Sequence, residues 1–446
     1  MEAQGSPLQL LKIPETRDKI LVTMGLLLAY RLGFQVPIPG MNPQFLSEIS
    51  REAQQSWFGL MNAFSGGDIG RTSMFSLGIM PYISASIIFS MLSKISPKIE
   101  AIAKEGASGQ KRINQWTRLL AVPIALLQAL LVYTGVFQAN PNMIDKSIGS
   151  GLGLAVIVIL SLTAGAIFCM WLGELITEYG IGNGASLIIM AGIITDMPSA
   201  LAQMVGRDDF YDTIVYLVAL WLAIVVVIVY ITKGTRRIPI QYAKLTRGRR
   251  VYGGQRHFLP LKVNMAGVMP IIFASIIFVL PGVLLSLLDY EWSTWLATVL
   301  NDQVGFVHVA LQVVLIFAFC FFWNRLMFQP EQIADDLRER GSFIPGIRPG
   351  PKTAEFLDHT LTRITMAGAA FLAVIAVLPS FVTAKTPLTP AMAYFLGGTS
   401  VLIVVGVALD VVDKLNAQLV MRNYEGFMKS SGAGWTQQPG QQHPKA

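Results

Sequence analysis

Few residues of this chain have the chemistry to bind a metal or form a covalent intermediate, and their spacing supports neither. The four histidines, His257, His308, His359 and His443, are scattered without metal-ligand spacing. Cys169 and Cys320 both fall inside apolar stretches, where they read as packing residues and carry no information about redox compartment. No nucleophile–base pairing stands out. Gly180-Ile181-Gly182-Asn183-Gly184 is glycine-rich, but it lies between apolar segments without the strand and helix of a nucleotide fingerprint, so it reads as a tight turn. Neither a catalytic residue nor a cofactor is expected.

Branched apolar residues at repeated positions are what the chain offers instead. Gly78-Ile79-Met80-Pro81-Tyr82-Ile83-Ser84-Ala85-Ser86-Ile87-Ile88 returns as Gly267-Val268-Met269-Pro270-Ile271-Ile272-Phe273-Ala274-Ser275-Ile276-Ile277, with eight positions identical. A fainter echo links the run from Gly184 to Gly192 with that from Gly398 to Gly406, and it aligns Ile189 with Ile403. Repeats that carry Gly and Pro inside apolar segments point to a substrate route between two related halves of a membrane protein, and Gly78 to Pro81 and Gly267 to Pro270 read as breaks and flex points in their spans, since Pro removes a helix hydrogen bond. A ring of branched apolar side chains would make a narrow, dewetted constriction that blocks ions.

The elements that must position this ring follow from composition. Of 446 residues, 53% are hydrophobic and 14% charged, and the mean hydropathy is +0.54, which places the chain outside the soluble range. A span needs about 20 apolar residues. Ten candidates are expected: residues 20–36, 74–92, 119–136, 152–175, 185–204, 214–231, 263–287, 306–327, 364–382 and 391–412. Asp196 and Pro198 interrupt the fifth. Of the 34 Lys and Arg, 28 fall on one set of alternate sides and five on the other, with Arg31 inside the first span. That bias places both termini in the cytoplasm. The first repeat pair is offset by five spans, so its members run in opposite directions. The stretch before the first span is polar and no cleavage site follows it, so no removable signal peptide is expected. Residues 430–446 are rich in Gln, Gly, Ser and Pro and read as disordered.

Coupled transporters place Asp, Glu or His at mid-membrane. Here, apart from Asp196, the ionisable residues Arg31, Glu174, His308, Arg325 and Asp410 lie towards span ends, where snorkelling or pairing accounts for them. Between the first two spans, residues 57–73 form a semi-apolar external segment too short to cross. On the cytoplasmic side, the loops 233–262 and 329–363 are long and basic. Within the second, residues 330–341 read as a short helix with Pro in its first turn and Gly just past its end, and Arg348 stands at a tip between Gly346-Ile347 and Pro349-Gly350. Such a surface suits phosphate-rich RNA or an acidic protein partner.

Several runs, taken in order, are similar to signature segments of the SecY family, the channel subunits of the bacterial protein-export translocase. They are Ser65-Gly66-Gly67, Leu77 to Ile88, Ile176 to Gly184, Gly248-Arg249-Arg250-Val251-Tyr252, Pro260 to Gly267 and Phe343 to Gly350. The resemblance extends from the first span to about Lys414. It implies an all-α polytopic membrane protein of ten transmembrane helices in two inverted five-helix halves around a central pore, residues 1–205 and 206–414, followed by a cytoplasmic tail at 415–446. It implies a pore ring of Ile79, Ile83, Ala185, Ile189, Ile272 and Ile403, with Ala185 standing where the family is bulky. It further implies a plug that includes Phe64, Ser65, Gly66, Gly67 and Arg71, and a lateral gate including Ser84, Ser90, Thr117, Asn264 and Leu280. Motor and ribosome docking fall to Arg247, Arg249, Arg250 and Arg348.

The implied activity is passage of unfolded preproteins across the membrane and lateral release of transmembrane segments into lipid. Implied partners are SecE-like and SecG-like small subunits, the SecA motor ATPase, the ribosome, and preproteins with their signal sequences. The implied setting is the bacterial plasma membrane, with the thylakoid membrane as a second possibility. Two other classes stay open on the residues alone. One is a secondary transporter with inverted repeats, for which only Asp196 is a candidate coupling carboxylate; the other is a membrane enzyme acting on lipid-linked substrates.

Overall fold

The computed structural model describes residues 14–40, 73–137, 152–202, 210–242, 245–247, 250–252, 256–264, 267–274, 291–301, 305–385 and 398–432. Apolar runs of this length satisfy their backbone groups as helices, since a helix pairs its own N–H and C=O groups without water. The helices are α1 (Pro14–Gly33), α2 (Met80–Ile95), α3 (Pro97–Lys104), α4 (Ala107–Val132), α5 (Leu152–Tyr179), α6 (Gly184–Ala202), α7 (Phe210–Lys233), α8 (Glu291–Asn301), α9 (Phe306–Met327), α10 (Pro330–Glu339), α11 (Pro351–Lys385) and α12 (Gly398–Gly432). Among the described residues, five helical stretches, on α4, α5, α7, α9 and α11, are long and apolar enough to cross a membrane, and α2 and α6 contain shorter apolar helices. Many large apolar side chains face outward, among them Leu119, Val226 and Val314, as a lipid-facing surface requires.

α5 is the central pillar. Leu154, Val158, Leu162, Ala166, Cys169, Leu172 and Ile176 recur at helical spacing along it, and all are buried. α2 packs along α4, α4 along α5, and α5 against α6; in the second half α9 packs along α11. α12 lies against α6 as well as α7 and α11, so the helix carrying the first segment of the fainter repeat packs against the one carrying its mate. α6 runs on through Asp196 and Pro198 to Ala202, so the interruption read in the sequence does not end the helix.

The stretch 233–262, expected as a loop in an all-α chain, is built around strands instead. β1 (Thr235–Tyr242) pairs antiparallel with β4 (Arg256–Lys262), from Thr235↔Lys262 to Gln241↔Arg256, and with β5 (Ser342–Phe343) on its other edge; β2 (Leu245–Arg247) and β3 (Arg250–Tyr252) make a separate small pair. The physical reason is the alternation along β1: Ile238 and Ile240 are buried while Arg237 and Pro239 are exposed, a period of two that only a strand presents on one face. Ile238 and Leu261 pack against Phe328, Ile344, Leu357, Leu361 and Ile364. α10 begins with Pro330 in its first turn and is followed by Gly341, as its sequence predicts.

Candidate functional site

The repeat in the letters is also a repeat in conformation. In the first half the chain leaving α1 returns beside itself: the Met74 N–H donates to the Val36 carbonyl at 3.0 Å, and Pro37 bridges Ser73. In the second half the chain leaving α7 does the same, with the Val263 N–H donating to the Gly234 carbonyl at 3.0 Å and Thr235 paired to Lys262. Met74 and Val263 hold the same place in the repeat, as do Ser73 and Lys262. Four residues further on, Gly78 has φ +53° and Gly267 φ +61°, a left-handed conformation that costs any residue with a Cβ about 1–2 kcal/mol.

The helix that follows begins at Met80 in one half and at 269 in the other, with Pro81 and Pro270 in its first turn. These prolines were expected to break their spans. They start helices instead, at positions whose N–H has no intrahelical acceptor, so no hydrogen bond is lost. The first i→i−4 bond of each is matched as well: the Ile83 N–H donates to the Ile79 carbonyl at 3.1 Å, and the Ile272 N–H to the Val268 carbonyl at 3.3 Å.

The second repeat brings its own helix starts. α5 and α6 are joined by the predicted tight turn, in which the Asn183 side-chain oxygen accepts from the Ala185 N–H at 3.1 Å and the Gly184 N–H donates to the Thr177 hydroxyl at 2.8 Å. A Cβ on Gly184 would lie 1.8 Å from the Gly173 carbonyl, so only glycine lets α6 start this close to α5. Ile189 on α6 and Ile403 on α12 are both buried.

All five ring isoleucines, Ile79, Ile83, Ile189, Ile272 and Ile403, belong to one buried apolar cluster, and Ala185 packs against it partly buried. Close to the Ala185 N–H, a Cβ on Gly173 would lie 3.0 Å from Ile79 and 3.4 Å from the fully buried Ile188. Val268, the repeat mate of Ile79, stands near Gly406 of α12. The sequence reading did not include it, although the repeat alignment was sufficient to flag it.

Other expected site residues are less gathered. Ser84 is half-buried and Ser90 exposed, its hydroxyl donating to the Ser86 carbonyl. Thr117 is buried on α4 with its hydroxyl on the Ile113 carbonyl, and Asn264 is buried with its amide donating to the Gly267 carbonyl at 3.0 Å. Leu280 and the plug residues Phe64, Ser65, Gly66, Gly67 and Arg71 lie outside the described residues, as does Arg249. Arg247 and Arg250 fall on β2 and β3. Arg348 is exposed at its tip, and its carbonyl accepts from the Thr353 hydroxyl at the start of α11. The expected pairing at span ends is present: Glu174 of α5 binds Arg118 of α4 at 2.5 Å, and Asp410 binds Lys414 at 2.8 Å. Among the described residues no group of His, Cys, Asp and Glu could hold a metal.

Residues 73–412 match the family model described as SecY. The protein translocase subunit SecY of Streptomyces coelicolor is 40% identical over 434 residues, covering 94% of this chain and 98% of the relative. That of Mycobacterium tuberculosis is 40% identical over 437 residues with the same coverage. Among solved structures, a protein-conducting channel superposes with a TM-score of 0.56 at 17% identity, over 93% of this chain and 98% of the other. A yeast Ssh1 complex bound to the 80S ribosome gives 0.53 at 16% identity, over 88% of each.

Proposed function

This chain belongs to the SecY family, and we propose that it conducts proteins through a constriction formed by Ile79, Ile83, Ile189, Ile272 and Ile403. The observation that carries the proposal is that these five isoleucines, contributed by both repeats, share one buried cluster. The chain is a membrane protein translocase channel. An extended polypeptide covers about 3.3–3.6 Å per residue, so about nine residues cross a ~30 Å apolar layer at once. A pore for such a cargo needs tolerance of every side chain, and branched apolar walls supply it. They also stay dry when no chain is present, which blocks ions.

In the full reading, ten spans form two inverted five-span halves, residues 1–205 and 206–414, with both termini in the cytoplasm of a bacterial plasma membrane. The matched junctions at Met74 and Val263 support the two-half arrangement, and the bias of Lys and Arg supports the orientation. Residues 57–73 act as the plug. Spans two and three face seven and eight at a lateral gate lined by Ser84, Ser90, Thr117, Asn264 and Leu280. The β1–β4 sheet, Arg247, Arg249, Arg250 and Arg348 form the docking surface for a SecA-like motor and for the ribosome, and small SecE-like and SecG-like subunits complete the channel. The ribosome-bound Ssh1 complex of the same fold supports the ribosomal partner. The relatives are channel subunits, and nothing in them favours a solute carrier.

The test is electrical. Ile83→Asn combined with Ile272→Asn lets water wet the constriction, and the purified channel in a planar bilayer then conducts ions at rest while staying folded and still passing a preprotein. If the double variant is tight to ions but poorly folded, these isoleucines are packing residues and the pore lies elsewhere.

A further inference from the structure

Two glycines stand behind the matched junctions. A Cβ on Gly165 of α5 would lie 1.8 Å from the Met74 carbonyl oxygen, and one on Gly368 of α11 would lie 2.6 Å from the Val263 carbonyl oxygen. Met74 and Val263 are repeat mates, four residues before the left-handed Gly78 and Gly267. α5 and α11 contain the fourth and ninth expected spans, which correspond under the same five-span offset. Each half therefore seats the same carbonyl on a bare glycine of the corresponding helix.

We propose that Gly165 and Gly368 are a matched pair of positioning residues that set how deeply Ile83 and Ile272 reach into the constriction. The inference rests on the reading of those isoleucines as part of the pore ring. Its physical content is the stiffness of the segment between carbonyl and isoleucine. In the first half the Met74 N–H is held by Val36, the Ser76 N–H and hydroxyl both donate to the Ser73 carbonyl, and the Gly78 N–H donates to the Phe75 carbonyl at 2.8 Å. In the second, the Val263 N–H is held by Gly234 and the Asn264 amide by the Gly267 carbonyl. Buried backbone groups tied in this way lose their partners if the segment deforms, so a push at its start moves it as a unit.

A real Cβ essentially never approaches another atom within 3.0 Å. Alanine at 165 must therefore move the Met74 oxygen from 1.8 Å to beyond that limit, whereas alanine at 368 needs the smaller shift from 2.6 Å. The isoleucine downstream shifts with the segment, further in the first half than in the second. Were the glycines there only to let helices approach, as small residues commonly do in membranes, substitution would cost stability and leave the seal intact.

The experiment measures resting ion conductance of the full-length reconstituted channel in planar bilayers, with thermal unfolding followed on the same preparations. Gly165→Ala is expected to leak severalfold above the unmodified channel, Gly368→Ala to leak less, and Gly153→Ala, whose Cβ meets nothing within 4 Å, to stay tight. A Gly165→Ala channel that is folded or merely less stable, yet tight to ions, overturns the inference. Should Gly165→Ala not fold, Gly368→Ala decides by the same reading. The Ile83→Asn, Ile272→Asn channel is recorded alongside: if it leaks while both glycine variants stay tight, the positioning role fails and the ring stands, and if it is tight too, the ring reading and the inference fall together.

Discussion

The junctions α1–α2 and α7–β1–β4 start alike, and the second carries on into a sheet. Both open with the same carbonyl-to-amide bond and the same antiparallel residue pair, Pro37↔Ser73 in one and Thr235↔Lys262 in the other. In the first half the pairing recorded among the described residues is that single bridge; in the second it extends over seven residue pairs to Gln241↔Arg256. In the second, Arg237 to Ile240 reads exposed, buried, exposed, buried, and the ladder runs on through Pro239 and Pro260, a period of two that a strand presents on one face. The same backbone device thus stands at both repeats, and in the second it leads into a basic sheet.

The largest effect tests whether that sheet is the docking organ. Arg348→Glu reverses the charge at the exposed tip beyond the sheet and turns attraction for an acidic partner into repulsion. ATP-driven import of a preprotein into proteoliposomes is expected to fall close to background, with membrane insertion and resting tightness unchanged; normal import breaks the assignment of docking to the second half. Next comes the contact between halves. Cysteines replacing Ser84 and Leu280 are expected to crosslink across the gate, since a disulfide needs Cα atoms within about 7 Å. Export stops under oxidation and returns with reductant, and failure to oxidise in the resting channel places the gate elsewhere.

Ile238→Ala removes a buried side chain from the sheet, where such truncations cost about 2–5 kcal/mol. Hydrogen exchange of the β1–β4 amides is expected to accelerate while ion tightness is retained, which separates the sheet from the junction beneath it. A smaller and deliberately symmetric effect is expected at Gly78 and Gly267: alanine in a left-handed position costs about 1–2 kcal/mol, so both variants should lose similar stability in thermal unfolding. Clearly unequal losses would show that the two junctions are alike in shape only. The smallest effect is at Asn324 of α9, whose side-chain amide donates to the Thr365 hydroxyl of α11 while its side-chain Oδ1 is buried without a hydrogen-bond partner. Interhelical hydrogen bonds in membranes average about 0.6 kcal/mol, and with one unsatisfied atom also removed, Asn324→Leu is expected to change stability by less than about 1 kcal/mol in a denaturant titration.

Part of the buried isoleucine cluster was legible in the sequence: repeated letters matched Ile83 with Ile272 and Ile189 with Ile403, and all four lie in it. The tight turn at 180–184 and the helix at 330–339 followed from Gly, Asn and Pro, whose backbone preferences are local. The sheet was misread as a loop, although Arg237-Ile238-Pro239-Ile240-Gln241 alternates: a basic composition between two spans outweighed a short period-two signal. Pro81 and Pro270 were read as breaks because sequence shows that a proline stands in an apolar run without showing where the helix begins.

By itself the sequence determined a membrane protein with an internal repeat, since hydropathy and repetition are properties of the chain and need no partner to be read. Only the tertiary structure decided that Met74 sits on Gly165 and Val263 on Gly368. A glycine in an apolar helix announces that something comes close but not what, because the approaching atom is a backbone carbonyl some ninety or a hundred residues away in the chain and every residue has one.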